Sequence, residues 1–296
     1  MRGISVSIMH NVVVVRWARF GMAAVAIGVS IALVILAIRG WTVEDSSAYW
    51  QAAMRLRAGL PLYPVNPDPG ASDVYRYAPW FAYLWVPLTY LPKSVVVTGW
   101  AILLVVASLA AVAGFARQPG LGSRLLALLF GSTLIWTAAR GNVQPLVILA
   151  LVRGLPRQSG PIWIGLTASL KAVPIFFALV YLARREWRAA AWSIGITVLL
   201  VAPMPLLGWK GIDPGPSLSL YYQSSPLVWA AVAAASGLAA VLIAVRGSPN
   251  VPIAAGVAAI LALPRLLFYD VTLLAPSVAA TTGGFVASRS RRGADG

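Results

Sequence analysis

The sequence predicts an all-α membrane protein that crosses the bilayer many times. Of its 296 residues, 59% are hydrophobic and 10% are charged, whereas a soluble domain carries roughly 25% charged residues. An apolar run of about 20 residues is long enough to cross a bilayer as a helix. Four uncharged runs approach this length: Phe20–Ile38, Ser94–Ala116, Ala189–Trp209 and Pro226–Val245. With the shorter runs between them, we expect one integral membrane domain, residues 1–296, of roughly ten transmembrane or re-entrant helices.

The basic residues predict which loops face the cytoplasm. The formal net charge is +15, from 23 Lys and Arg residues against eight Asp and Glu residues. Because these cations punctuate apolar runs, the positive-inside rule explains them better than nucleic-acid binding does. We expect a cytoplasmic leader (1–19), a first extracytoplasmic loop (40–77) and a cytoplasmic tail (288–296).

Composition excludes several kinds of site. The chain has no cysteine, which excludes disulfides and thiolate chemistry. Its one histidine, His10, lies in the leader, so a zinc site or a His-based triad has almost no residues to form it. We predict no cofactor. A divalent cation held by a phosphate and Asp45 is compatible with the sequence but is not indicated by it.

Two segments interrupt the pattern of membrane helices. Tyr77–Pro92 is short and rich in proline, so it either spans the membrane or only dips into it. The re-entrant alternative satisfies the positive-inside rule in every later loop, and it requires a helix broken near Lys171 and Pro174. A helix broken at membrane depth is tolerated where it lines a cavity. We therefore expect a re-entrant Tyr77–Pro92 and a broken helix at Lys171.

The first outer loop carries two adjacent acids, Glu44 and Asp45. Asp45 followed by two serines is typical of a helix N-cap, and Gly59 is typical of a C-terminal stop. The helix between them places Asp45 and Tyr49 on one stripe and is amphipathic, as in helices that lie on a membrane surface. Asp45 is therefore either a plain N-cap or a general base, and Glu44 is either solvated or part of a site.

Several cations lie where they can hold an anion. Lys171 interrupts an apolar run, and an ionisable group in that position indicates a functional site by default. Its alternative role is snorkelling or pairing with a carbonyl group. Arg140, two positions before Asn142, either binds an anion or ends a span. Arg76 and Arg265 likewise either bind an anion or end a span.

Four segments, in this order, resemble a known family. They read DSSAYWQAAMRLRAGLPLY, YRYAPWFAYLWVPLTYLP, RGNVQ and GLTASLKAVPIFFALVYLARREWRAA, and they cover roughly Trp41–Ala190. The set resembles bacterial glycosyltransferase family 87, which includes mycobacterial mannosyltransferases that use polyprenyl-phosphate-mannose. The resemblance implies a C-type membrane glycosyltransferase fold. It also implies an active site at the outer membrane face, built around an acid in the first outer loop.

Matching by position assigns residues to that site. The acid is Asp45, which the resemblance makes the catalytic general base. Tyr49 falls in the same motif, Tyr77 in the second, Asn142 in the third and Lys171 in the fourth. Together with nearby charged side chains, the predicted substrate-binding residues are Lys171, Arg140, Asn142, Tyr49, Arg76, Tyr77, Arg265 and Glu44.

The resemblance implies a reaction at the cell envelope. A sugar, mannose by family, would move with inversion from a polyprenyl-phosphate donor to a hydroxyl of a glycolipid or glycan. The implied location is a bacterial plasma membrane. The implied partners include membrane lipids and exclude nucleic acid. The Ala-, Val- and Arg-rich composition is typical of a high-GC actinobacterium. The third motif reads GNVQ where the family usually has Gly-Gln followed by Asn, and the outer loop 208–225 is short, so the acceptor stays open. A lipid-linked-sugar transporter or flippase, and a catalytically inactive membrane scaffold, stay open as alternatives.

Overall fold

The computed structural model describes residues 3–63, 74–116, 121–209 and 219–282. Within these ranges every regular element is a helix, which confirms the predicted all-α fold class. The predicted tail (288–296), residues 64–73 of the predicted outer loop and most of the loop 208–225 lie outside the described residues. The α-helices are α1 (Gly3–Arg39), α2 (Glu44–Arg57), α3 (Pro79–Trp85), α4 (Lys93–Phe115), α5 (Leu121–Ala139), α6 (Gln144–Gly154), α7 (Gly160–Lys171), α8 (Leu179–Ala183), α9 (Trp187–Val201), α10 (Leu220–Ser224), α11 (Pro226–Val245), α12 (Val251–Leu261) and α13 (Ala275–Thr282). Four 3-10 helices connect them: Pro87–Tyr90, Val173–Ala178, Pro205–Leu207 and Phe268–Leu274.

Five helical segments of the described chain are long and apolar enough to cross a membrane: Phe20–Arg39, Lys93–Gly114, Leu121–Ala139, Trp187–Leu207 and Pro226–Val245. Four of them coincide with the uncharged runs of the sequence, and the fifth is α5. Large apolar side chains project outward from these segments, such as Leu227, which is 82% exposed. Because a soluble protein rarely exposes such extended apolar surfaces, the surface indicates a lipid environment. A polytopic membrane protein is therefore confirmed.

Tyr77–Pro92 does not form a spanning helix. It folds into α3 and the 3-10 helix Pro87–Tyr90, and α3 packs against α2. The seven residues of α3 extend about 10 Å, far short of the roughly 30 Å hydrocarbon core. The 3-10 helix that follows brings the helical segment to about 20 Å, which is still short. Of the two alternatives left by the sequence, this length favours the re-entrant one over a single crossing.

The predicted helix break at Lys171 is present. Helix α7 ends at Lys171, and Ala172 then adopts φ 23° before the 3-10 helix Val173–Ala178. Pro174 sits at the start of that 3-10 helix, where its missing N–H costs no helical hydrogen bond. The break leaves the lysine at a helix C-terminus, which favours a positive charge.

The predicted N-cap role of Asp45 is wrong. Helix α2 begins at Glu44, and its N-cap is Val43 in the left-handed region, with no side-chain cap hydrogen bond. Asp45 lies inside the first turn, and its carboxylate contacts Asn142 instead of capping the helix. The predicted stop is correct, since α2 ends at Arg57 and Gly59 follows with φ +68°. The buried face of α2, which includes Tyr49, packs against α3 and α4 rather than lying free on a membrane.

The turn between α5 and α6 fixes the start of α2. The Val43 N–H donates to the Ala139 carbonyl at 3.2 Å, and the Asp45 N–H donates to the Arg140 carbonyl at 3.0 Å. Gly141 has φ +76°, and a Cβ there would lie 2.9 Å from both the backbone nitrogen and the hydroxyl of Ser46. The close approach of the two segments therefore requires glycine at this position.

We expect Gly141→Ala to destabilise the protein by about 1–3 kcal/mol, because alanine combines left-handed strain with a clash at Ser46. Gly99→Ala is the matched control, since a Cβ at Gly99 meets nothing within 4 Å and helix propensity favours alanine. Thermal unfolding in detergent micelles measures both variants. Equal unfolding midpoints for the two variants would contradict the close contact between the α5–α6 turn and the start of α2.

Candidate active site

The docked turn brings Asp45 into contact with Asn142. The Asn142 Nδ2 donates to the Asp45 Oδ2 at 2.7 Å. The Asn142 Oδ1 accepts from the backbone N–H of Gln144 at 2.9 Å, which fixes the orientation of the amide. Asn142 Nδ2 also lies 3.4 Å from the hydroxyl of Tyr269. The backbone thus orients the Asn142 amide, and the amide in turn holds one oxygen of the Asp45 carboxylate.

A buried ion pair also lies close to Tyr269. The ammonium of Lys171 is 3.6 Å from Asp270 Oδ1, and the side chains of the two residues are only 14% and 5% exposed. Asp270 Oδ2 accepts from the Leu267 N–H at 2.9 Å, so its carboxylate is anchored at the start of the 3-10 helix. Lys171 Nζ also lies 4.7 Å from the ring centroid of Tyr269, a cation–π distance.

The charged side chains around Tyr269 interact with one another. Burial raises the pKa of Asp45 above its ordinary value, while the hydrogen bond from Asn142 and the positive charge of Lys171 offset part of that rise. Arg265 also acts on Asp45 as a nearby positive charge. Its Nε is buried and has no partner among the described residues. Asp45, Lys171 and Arg265 therefore belong to one electrostatic cluster with Asp270.

Aromatic residues form one wall beside Asp45. Tyr49 is fully buried, and its hydroxyl lies 3.3 Å from that of Tyr77 and accepts from the Val143 N–H at 3.3 Å. Its ring makes edge contacts with four aromatic side chains: Tyr77, Phe81, Trp85 and Trp100. This packing fixes the face of α2 from which Asp45 projects.

The remaining predicted residues lie around this cluster. Arg140 pairs with Glu44 at 3.1 Å, and both side chains are about one-third exposed (35% and 38%). The Arg140 guanidinium also lies 5.0 Å from the ring centroid of Trp136. Arg76 donates to the Val74 carbonyl at 3.3 Å and acts electrostatically on Tyr77. The structure thus places Glu44 and Arg140 in a partly exposed pair beside Asp45, which is itself partly buried.

Sequence reasoning missed three residues of the cluster: Tyr269, Asp270 and Gln144. Gln144 is fully buried and donates to Thr272 at 2.9 Å, which ties α6 to the 3-10 helix that carries Asp270. A signal for Asp270 existed, because it is a carboxylate inside the apolar stretch LLFYDVTLL. The reasoning that singled out Lys171 applies to it equally.

The described residues contain no group of three or more His, Cys, Asp or Glu side chains placed to hold a metal ion. The acids of the cluster are directed instead to Asn142, Lys171 and backbone N–H groups.

Comparison with known proteins identifies the family. The sequence profile described as "Glycosyltransferase family 87" matches residues 75–289, which is more than half of the chain. The chain belongs to glycosyltransferase family 87. The match begins after Asp45 and extends well beyond Ala190, whereas the four motifs cover roughly 41–190. The region that matches family 87 therefore includes Asn142, Lys171 and Asp270. It does not include Asp45, so the match by itself does not assign the acid in the first loop.

A curated relative of this family 87 protein is the polyprenol-phosphate-mannose-dependent alpha-(1-2)-phosphatidylinositol pentamannoside mannosyltransferase of Mycolicibacterium smegmatis. The two are 31% identical over an alignment of 133 residues, and the match covers 41% of this chain and 32% of the relative. The matched region thus spans about a third of the relative's length. No solved structure matches the chain.

Removing the charge of Asp270 tests how the buried pair is stabilised. Asp270→Asn keeps an acceptor for the Leu267 N–H but removes the nearest counter-charge of Lys171. We expect the free energy of unfolding to fall by about 3 kcal/mol, because breaking one side of a buried pair leaves a poorly compensated charge. Glu44→Gln breaks the exposed pair with Arg140 and should cost less than about 1 kcal/mol. Denaturant unfolding in micelles compares them, and equal losses would contradict the burial-based account.

Proposed function

We propose that this family 87 protein is a membrane glycosyltransferase that uses Asp45 as its general base. The donor is a polyprenyl-phosphate sugar, and the acceptor is a hydroxyl group of a glycolipid or a cell-envelope glycan. The observation that carries the proposal is the geometry of Asp45, which is held by Asn142 and faces the field of Lys171. Family membership and the mannosyltransferase relative support the reaction class. The name of that relative supports mannose as the sugar.

The proposed reaction is a single displacement. The acceptor hydroxyl oxygen attacks the anomeric carbon and forms the new glycosidic bond, while its proton passes to the Asp45 carboxylate. The bond between the anomeric carbon and the phosphate oxygen breaks, and polyprenyl phosphate leaves with that electron pair. Attack from the face opposite the leaving group inverts the anomeric configuration. A phosphate is already a good leaving group, so the mechanism requires no strong acid.

Asn142 prepares the base for this step. Its Nδ2 holds one carboxylate oxygen of Asp45 at 2.7 Å. That hydrogen bond favours the ionised form, which is the form able to accept a proton. The other carboxylate oxygen then takes the acceptor proton. Tyr49, one helical turn after Asp45, keeps the start of α2 against its aromatic wall.

The cations of the cluster bind the phosphate in this proposal. Lys171 and Arg265 both act on Asp45 electrostatically, so a phosphate beside them lies near the base. Asp270 positions the Lys171 ammonium and balances its charge until the donor arrives. Positive charge fixed in advance at the leaving phosphate stabilises the charge that develops in the transition state. Arg140, Arg76 and Tyr77 complete the proposed substrate-binding set at the edge of the cluster.

The proposed location is a bacterial plasma membrane with the site on the extracytoplasmic face. This sidedness rests on the positive-inside rule applied to the basic loops of the sequence. The helix that breaks at Lys171 supports it, because the topology that satisfies this rule requires a break at that position. A lipid-linked donor reaches such a site from within the bilayer, and the acceptor reaches it from outside.

Two other functions lead to different measurements. A lipid-linked-sugar flippase moves the donor across a membrane without forming a glycoside, and an inactive scaffold does neither. Proteoliposomes that contain a radiolabelled polyprenyl-phosphate sugar and an acceptor lipid distinguish the three. New radiolabelled glycoside supports the transferase, and donor translocation without a glycoside overturns it.

Asp45→Asn should lower kcat by about 100- to 10,000-fold, because the amide cannot accept the proton. The amide preserves the size of the side chain, so donor binding should change little. Glu186→Gln, which neutralises an acid between α8 and α9, is the control and should keep its kcat. Radiolabelled transfer by purified protein measures both. Full activity in Asp45→Asn would remove Asp45 as the base.

The pH dependence of kcat should report the ionisation of Asp45. Because burial raises the pKa of Asp45, activity should fall on acidification at a higher pH than for an ordinary carboxylate. Asn142→Ala removes a hydrogen bond that favours the charged form, so its acidic limb should move to still higher pH. If the acidic limb of the Asn142→Ala profile stays in place or moves to lower pH, the role of Asn142 is contradicted.

A further inference from the structure

A groove that the proposed reaction does not use lies between α1 and α4. Both helices pack against α5 but make few contacts with each other. The space between them, with α5 as its floor, encloses about 550 Å³, within the roughly 300–1,000 Å³ of ordinary ligand sites. We call this space the α1–α4 groove.

Two small residues of α5, Gly131 and Ser132, lie in the floor of the groove. A Cβ at Gly131 would lie 3.0 Å from Cγ2 of Val112, so helix α4 approaches the floor closely. The hydroxyl of Ser132 donates to that of Ser30 at 3.2 Å and fixes α1 against α5. The contacts of α1 and α4 with α5 therefore define the groove, and the gap between α1 and α4 forms its opening.

Its walls are apolar and open to the surroundings of the protein. Ile31 and Ile35 contribute from α1, Leu109 from α4 and Leu128 from α5. All four are among the exposed large hydrophobic residues of the structure. Such walls suit a hydrocarbon chain and offer little to a polar ligand.

One positive charge lies at an end of the groove. Arg124 lines it from the first turn of α5, is exposed, and takes part in none of the ion pairs among the described residues. A guanidinium binds a phosphate through two parallel hydrogen bonds. The positive-inside rule places this end of α5 in the cytoplasmic leaflet, which is rich in anionic lipids.

The length of the groove matches one leaflet. From Arg124 to Ile135, the residues of α5 that line it extend about 16 Å along the helix. Half of the hydrocarbon core is about 15 Å thick. A single acyl chain whose headgroup sits at Arg124 would therefore occupy the groove from the interface to the middle of the bilayer.

The groove is separate from the cluster around Asp45. Arg124 lies near the start of α5, and Ala139, which accepts from the Val43 N–H, ends it. The two ends are about 22 Å apart along the helix axis. A phosphate at Arg124 is thus too far from Asp45 to belong to the reacting donor.

We propose that the α1–α4 groove binds an anionic glycerophospholipid of the membrane. One acyl chain lies between α1 and α4, and the phosphate pairs with Arg124. This lipid is bound and is not consumed, so the proposal stands whether or not the chain transfers sugar.

Competition between two phospholipids with identical acyl chains tests the proposal. Purified protein in detergent receives equal amounts of phosphatidylglycerol and phosphatidylcholine, and native mass spectrometry counts the lipids that stay bound. Both headgroups carry the phosphate, but the choline cation of phosphatidylcholine repels Arg124 and offsets the charge of that phosphate. We therefore expect wild-type protein to prefer phosphatidylglycerol by about tenfold. Arg124→Gln should lose this preference. Arg246→Gln, an exposed arginine at the end of α11, should keep it.

A second variant tests the acyl-chain site independently of charge. Val34→Trp fills the groove from α1 and should reduce retention of both lipids. Val245→Trp adds the same side chain to an exposed position of α11 and should leave retention unchanged. Retained preference in Arg124→Gln, or equal effects of both tryptophans, would overturn the proposal. Displacement of phosphatidylglycerol by an equal amount of polyprenyl phosphate would also overturn it, since the groove would then belong to the donor lipid.

Discussion

The docking of the α5–α6 turn onto the start of α2 is the constraint on which the candidate site depends. Two backbone hydrogen bonds join these segments, and Gly141 supplies the room for their close approach. This contact places Asp45 opposite Asn142, although 97 positions separate them in the sequence. Asn142 in turn reaches Tyr269, so the turn also connects α2 with the C-terminal part of the chain. A carboxylate can act as a base only when its position is fixed in this way.

The charges of the cluster explain why such a costly arrangement exists in an apolar protein. Buried ions lose hydration, and their pairing restores only part of that loss. Asp45 and Asp270 face Lys171 and Arg265, so the opposite charges are balanced in number before any ligand binds. In the proposed reaction, the donor phosphate would add negative charge beside the two cations and compete with Asp270 for Lys171. The balance of charges in the cluster is the reason for proposing an anionic ligand whose reacting carbon lies close to Asp45.

Much of the architecture was predictable because bilayer thickness imposes it on the sequence. Uncharged runs indicated four of the five long apolar helices, and Pro174 next to a lone lysine indicated the break at Lys171. Local sequence signals failed to predict the roles of side chains that are set by tertiary contacts. Asp45 looked like an N-cap, but its carboxylate meets Asn142 while Val43 takes the cap position. Asp270 was missed because its partner, Lys171, lies 99 positions earlier and only the folded chain pairs them. The roles of these residues in sugar transfer stay predictions.

A structure of the protein with a non-hydrolysable polyprenyl-phosphate sugar analogue tests the central claim most directly. The account predicts that the phosphate lies within hydrogen-bonding distance of the Lys171 ammonium or the Arg265 guanidinium. It also predicts that the anomeric carbon faces Asp45, with room for a hydroxyl between them. A phosphate bound at the opposite end of α5, or a sugar separated from Asp45 by packed helices, would contradict it.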